Sequence, residues 1–95
     1  MVTLSVVVPA YNAGAYLKAA GGSLLAERLP GLEIVVVDDG TTDGSVDKIE
    51  ALPVRIIRQK NMGEAAARNA GVRASSGSLV SFLDADDLIA PGGLA

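Results

Sequence analysis

Four short β-branched runs recur along the chain, at Leu4–Val8, Glu33–Val37, Val54–Arg58 and Leu79–Leu83. None exceeds five residues, and turn-forming residues such as Pro9, Pro30-Gly31 and Asp39-Gly40 bound them, so they read as strands. Three are apolar nearly throughout, as expected when both faces of a sheet are covered. Val54–Arg58 carries Arg55 and Arg58 and reads as an edge strand.

The intervening segments follow helical spacing. The first runs from about Ala13 to Ala26, with Leu17, Leu24 and Leu25 on one stripe and Asn12 placed as N-cap. Gly21 and Gly22 lie inside it and cost about 1 kcal/mol each relative to Ala, so a bend or fraying is expected there. The second runs from Ser45, its expected cap, to Leu52, with Val46, Ile49 and Leu52 facing inward. The third, Glu64 to Ala74, follows an Asn61-Met62-Gly63 turn, and its alanines permit close approach to a sheet. The order β-α-β-α-β-α-β implies an α/β fold, an open parallel sheet with right-handed crossovers and helices on both faces. In the common strand order 3-2-1-4, a Rossmann-like half, the ligand crevice opens at the C-terminal ends of strands 1 and 4. Residues 1–95 suffice for one small domain.

Composition removes several chemistries. The chain has no His, no Cys and no Trp, which excludes a Ser–His–Asp triad, a thiol nucleophile, a disulfide framework and a Cys/His zinc site. Eight basic against eleven acidic residues give a net charge of −3, which argues against binding nucleic acid or anionic lipid. No apolar run approaches the roughly 18 residues needed to span a bilayer. Met1-Val2-Thr3-Leu4 lacks the basic stretch of a signal peptide, and a cytoplasmic address is the default expectation.

The polar residues that stand out fall at strand ends: Pro9-Ala10-Tyr11-Asn12, Asp38-Asp39-Gly40-Thr41-Thr42-Asp43 and Asp84-Ala85-Asp86-Asp87. Their convergence in one crevice is the residue-level case for a ligand site. Clustered carboxylates need a proton, a basic side chain or a cation, and oxygen-only ligands point to Mg²⁺ or Mn²⁺ shared with a substrate phosphate. The competing reading of Asp86 or Asp87 is a helix cap before Leu88. Asp38 and Asp39 offer acceptors suited to the N–H groups of a base or to ribose hydroxyls; turn chemistry explains them equally well. Tyr11 reads as a stacking surface or as loop packing, and Tyr16 as packing. Arg68 reads either as an exposed i,i+4 partner of Glu64 or as a cation aimed into the crevice. Neither glycine-rich phosphate fingerprint, G-x-G-x-x-G after strand 1 or G-x-x-x-x-G-K-[ST], is present.

Four segments, SVVVPAYN (Ser5–Asn12), EIVVVDDGTTDGS (Glu33–Ser45), QKNMGEAAARNAGVRASSG (Gln59–Gly77) and LVSFLDADD (Leu79–Asp87), resemble in order and spacing the N-terminal half of family 2 glycosyltransferases. The resemblance implies a GT-A fold, a nucleotide-diphosphate sugar donor, and metal-assisted, inverting transfer to an unspecified acceptor. It places Pro9, Tyr11, Asp39 and Arg68 around the nucleotide, with Asp39 on the base and Arg68 on the base side of the pocket. Asp84 and Asp86 match the D-x-D motif, Asp84 near ribose and metal, Asp86 as a direct metal ligand. Thr41 stands where the family usually has Ser and keeps the hydroxyl.

The same resemblance places the acceptor half and the catalytic base beyond Ala95, so the 95-residue chain is expected to be truncated after the D-x-D motif and inactive alone. Self-association through the edge of strand 4 is a further expectation, as is attachment of a longer parent to the cytoplasmic face of a membrane. The alternatives are a non-catalytic nucleotide- or metal-binding module and a sugar-phosphate nucleotidylyltransferase. The latter needs a glycine-rich, basic loop where Pro9-Ala10-Tyr11-Asn12 stands.

Overall fold

Parallel pairing joins four strands into one sheet, in the order 3-2-1-4 by chain position, as the sequence predicts. The computed structural model describes residues 2–84. Along the chain these form β1 (Leu4–Ala10), α1 (Ala15–Leu25), β2 (Leu32–Asp39), a 3₁₀ turn (Asp47–Ile49), β3 (Arg55–Gln59), α2 (Glu64–Ala74) and β4 (Leu79–Phe82). Asp86, Asp87 and the segment expected to start at Leu88 lie outside the described residues. Among the described residues no helix is long and apolar enough to cross a membrane.

Alternation along the central strands sends side chains to two separate cores. Val6, Val8, Ala10, Ile34 and Val36 pack with Leu17, Ala20 and Leu24 of α1 and with Val46 and Ile49. Val7, Val35 and Val37 face the other way, onto Ala67, Ala70 and Ala74 of α2. The β1–β2 register runs from Leu4 opposite Leu32 to Ala10 opposite Asp38, so the ends of both strands arrive together. On the far side of β1, β4 pairs from Leu79 to Phe82, and Leu83 continues by donating its N–H to the Val7 carbonyl at 3.0 Å. β3 is the opposite edge, as its arginines suggested.

A polar clip closes the other end of the sheet. Buried Ser5 donates its hydroxyl to Glu33 Oε1 at 2.7 Å and accepts the Gly77 N–H at 2.9 Å. Glu33 also accepts the Ser76 N–H at 3.0 Å and the Ser76 hydroxyl at 3.1 Å. The Ser76 and Ser5 donors hold the Glu33 carboxyl below its ordinary value, and the clip fixes where the chain enters β4.

Two helix starts differ from the sequence expectation. Asn12 does not cap α1: it adopts a left-handed φ of 49°, Gly14 follows at 62°, and the helix begins only at Ala15. Its carboxamide is drawn instead to backbone N–H groups of the loop after β2. The segment after Ser45 forms a 3₁₀ turn rather than an α-helix, and Ser45 makes no side-chain cap. Gly44 at φ 79° precedes it, and Pro53 disfavours helical geometry at Leu52, so little chain is left for α-helical turns. Val46 and Ile49 nevertheless face inward as expected. The Gly21-Gly22 pair sits within a continuous α1.

Gly71 sets how closely α2 approaches the sheet. A Cβ there would collide with Val7 Cγ1 and lie 3.2 Å from Val37 Cγ2, whereas one on Gly22 meets nothing within 4 Å. Replacing each by Ala is therefore expected to have opposite effects. Gly71→Ala should lose about 1–3 kcal/mol by overpacking, more than the helix gains. Gly22→Ala should gain about 0.5–1 kcal/mol. Urea unfolding reads both, and a Gly71→Ala protein as stable as the parent would contradict the close contact.

Candidate functional site

At the C-terminal ends of the strands the chain encloses a cavity of about 840 Å³. The β1–α1 segment forms one wall with Pro9, Tyr11, Asn12 and Tyr16; Asp39 lies at the end of β2; Asn61, Gly63, Glu64 and Ala67 come from the start of α2; and Asp84 follows β4. This is the crevice the strand order predicts, at the point where the winding reverses. Its size suits a small-molecule ligand.

Strand geometry separates the two neighbouring aspartates. Successive side chains on β2 point to opposite faces, so only one of the pair can face α2 and the cavity. Asp39 does. It is 5% exposed; its Oδ1 accepts Gln59 Nε2 at 2.9 Å and the Met62 N–H at 2.8 Å, and its Oδ2 accepts the Gly63 N–H at 3.1 Å. Three of roughly four acceptor positions are filled, which leaves Oδ2 one more. Asp38 faces the other way and does not line the cavity. Its Oδ1 accepts the Thr41 N–H at 2.7 Å, and its Oδ2 pairs with Arg58 at 3.1 Å. Arg58 in turn reaches Asp47 at 3.3 Å and Glu50 at 2.6 Å, tying the 3₁₀ turn to the sheet edge. Asp38 thus sits at the predicted place in the chain with its carboxylate committed to the fold.

The glycine after Asp39 is needed for the turn. Gly40 has φ 83°, and a Cβ there would lie 2.9 Å from the Asn61 nitrogen, so any side chain would push away the loop that carries the Asp39 donors.

Of the two readings of Arg68, the local ion pair is the one the geometry shows directly. Its guanidinium pairs with Glu64 at 2.7 Å, the helical i,i+4 contact, and lies 3.7 Å from Asp84 and 5.9 Å from the centre of the Phe82 ring. Arg68 is not itself a lining residue; it reaches the cavity through Glu64 and Asp84, which are. Among the described residues no three acidic side chains are grouped to cage a cation. Asp84, with an exposed carboxylate on the cavity, suits the other mode, in which Mg²⁺ or Mn²⁺ takes one or two carboxylates and completes its shell with phosphate oxygens and water. Asp86 lies outside the described residues.

The cavity also takes in residues to which the sequence gives chiefly a local role. Tyr16, read as packing, is 65% exposed on the cavity. It directly precedes buried Leu17 and lies outside the apolar stripe, which is the signal that places it outward. Asn12 and Glu64 line the wall beside their local roles. Local patterning does not report that second role.

Burial alone would raise the Asp39 carboxyl's pKa, but the donors from Gln59, Met62 and Gly63 outweigh it and hold it below the ordinary value. A depressed folded-state pKa contributes stability that is present above the unfolded-state value and is lost as pH falls through the folded one. Acidification from pH 7 toward 3 should therefore lower the unfolding temperature. Asp39→Asn should cost about 2–3 kcal/mol at pH 7, because its amide meets buried donors, and should flatten that acid dependence. Equal acid sensitivity in parent and variant would refute the assignment.

Comparison with known proteins agrees with this geometry. The chain is 41% identical over 93 residues to the uncharacterized glycosyltransferase YibD of Escherichia coli (strain K12), covering 93% of this chain and 27% of that protein. It is 38% identical to the glycosyltransferase GlyG of Streptococcus pneumoniae, covering 90% and 31%. Among solved structures, S. aureus TarS 1-349 in complex with UDP-GlcNAc superposes with a TM-score of 0.86 at 33% identity, over 97% of this chain and 29% of that one. The mannosyltransferase PcManGT from Pyrobaculum calidifontis, in complex with GDP-Man and Mn²⁺, gives 0.83 at 28% identity, over 90% and 28%. The chain thus spans less than a third of each of these proteins, and its sheet is that of the GT-A glycosyltransferase domains. The family model for glycosyl transferase family 2 matches residues 5–95, and the chain belongs to that family.

Proposed function

We infer that this chain forms the donor-binding part of a glycosyltransferase that uses a nucleotide-diphosphate sugar with a divalent cation, and that transfer inverts the anomeric centre. The supporting observation is the cavity itself: three separate chain segments deliver Tyr11, Asp39 and Asp84 to one crevice at the sheet's C-terminal edge. Structural neighbours that hold UDP-GlcNAc, or GDP-Man with Mn²⁺, support the donor class.

In this reading Tyr11, half-exposed on the wall, stacks on the base while Pro9 backs the same loop. Asp39 accepts a base N–H at the remaining position on Oδ2, and its three internal donors keep it ionised for that purpose. Asp84, together with Asp86, would hold the cation and, through it, the diphosphate end of the donor. Arg68 offsets the Asp84 charge from the side of α2 and is itself held in place by Glu64. A cation held there would supply Lewis-acid stabilisation of the charge that builds on the departing diphosphate. The acceptor hydroxyl attacks the anomeric carbon from the face opposite that diphosphate. Its proton passes to a base that we assign to no described residue.

Calorimetric titration with UDP and with GDP, in Mn²⁺ and then in EDTA, tests the reading. Binding of at least one nucleotide should depend on the cation. Asp84→Ala should weaken it at least tenfold while barely moving the unfolding midpoint, since Asp84 is exposed. Nucleotide binding of equal strength in EDTA, or an unaffected Asp84→Ala protein, would contradict it.

A further inference from the structure

The wall that carries Tyr11 is a stretch of irregular backbone, and it is held from behind. Residues 11–14 leave β1 without entering α1, with left-handed φ at Asn12 and Gly14, so the N–H groups of these two must be satisfied by something other than a regular ladder or helix. The loop after β2 has the same problem at Thr42 and Asp43. Each loop satisfies the other with side chains. Thr41 Oγ1 accepts the Asn12 N–H at 3.2 Å, and Asp43 Oδ2 accepts the Gly14 N–H at 3.0 Å. In return, Asn12 Oδ1 accepts the Thr42 N–H at 2.8 Å and the Asp43 N–H at 3.2 Å. Thr41 also donates to the Ala10 carbonyl at 3.4 Å, and Asp43 Oδ1 accepts the Ser45 N–H at 2.9 Å, so the loop after β2 is tied both to the end of β1 and to the turn that follows it.

Thr41, Thr42 and Asp43 are not cavity-lining residues, whereas Tyr11, Asn12 and Gly14 are. The clasp therefore lies outside the wall. Tyr11 is 54% exposed, so its ring direction is set more by the backbone that carries it than by packing. We propose that Asn12 is a positioning residue: through the reciprocal Asn12–Thr41–Asp43 clasp it holds Tyr11 in the orientation that meets the nucleotide base. This rests on the donor-site reading above, and it gives the acidic, threonine-rich loop after β2 a function other than ligand contact.

The chemistry of Asn12 separates its two contributions. Left-handed φ suits Asn, Asp and Gly. All three recorded contacts of its side chain, including one to the Thr42 hydroxyl at 3.4 Å, use Oδ1 as the acceptor. Asn12→Asp keeps both the φ and the acceptor; Asn12→Gly keeps the φ alone.

In the protein carrying this chain, UDP and GDP affinities in Mn²⁺ are measured by calorimetry, and backbone exchange over residues 41–43 by hydrogen-exchange mass spectrometry. Asn12→Gly should speed exchange there and weaken nucleotide binding about tenfold, and Asn12→Asp should restore both to within about threefold of the parent. In a Tyr11→Ala background Asn12→Gly should have little further effect on affinity, because the two residues act through one contact. Additive losses in that double variant, an Asn12→Asp protein as weak as Asn12→Gly, or full affinity in Asn12→Gly overturns the positioning role. A parent protein that binds neither nucleotide overturns the donor-site reading, and this inference with it.

Discussion

A carboxylate taken out of water at the end of a buried strand must find donors, and the way Asp39 finds them organises this molecule's working end. Its partners are the Gln59 side chain and the N–H groups of Met62 and Gly63, so one side chain on β2 binds both the end of β3 and the entry to α2. Gly63 precedes Glu64, the first residue of α2, and no side-chain cap is recorded there. An anion at the positive end of the helix is favourable in itself. This buried charge thus fixes where α2 begins, while Gly71 and the alanines set how closely the rest of the helix lies on the sheet.

The sheet that carries Asp39 was legible in the sequence because its signals do not compete. Continuous β-branched runs mark buried strands, and the small residues Ala67, Ala70, Gly71 and Ala74 mark the face of α2 that lies on them, so strands and helix are read directly, while the strand order comes from the common pattern of such folds. Where local and tertiary demands conflict, sequence reading misplaces the residue. Asn12 has the side chain of a helix cap, yet the loop after β2 offers it other donors, and a local rule has no access to a partner about 30 residues away. At Ser45 the left-handed Gly44 before it and Pro53 after it leave no room for the α-helix it would cap.

The site shows the same division. Pro9, Tyr11, Asp39 and Asp84 line one cavity because strand ends fix where they emerge. Asp38 emerges at the same level and is turned aside, since the pleat gives adjacent residues opposite directions. Arg68 stands just outside that lining: its Nη2 hydrogen-bonds Glu64 and lies 3.7 Å from Asp84, near enough for charge attraction and too far for a second hydrogen bond.

Ala67 belongs to two structures at once. Its methyl group is fully buried among Val7, Val35 and Val37, and it also contributes to the cavity wall. The floor of the recess is therefore the surface of the close-packed interior, with no compliant layer between them. Such a recess inherits the interior's stiffness, and its depth is not a quantity that drift at the rim can retune. Diversity in what this scaffold recognises must come from the loops above the floor.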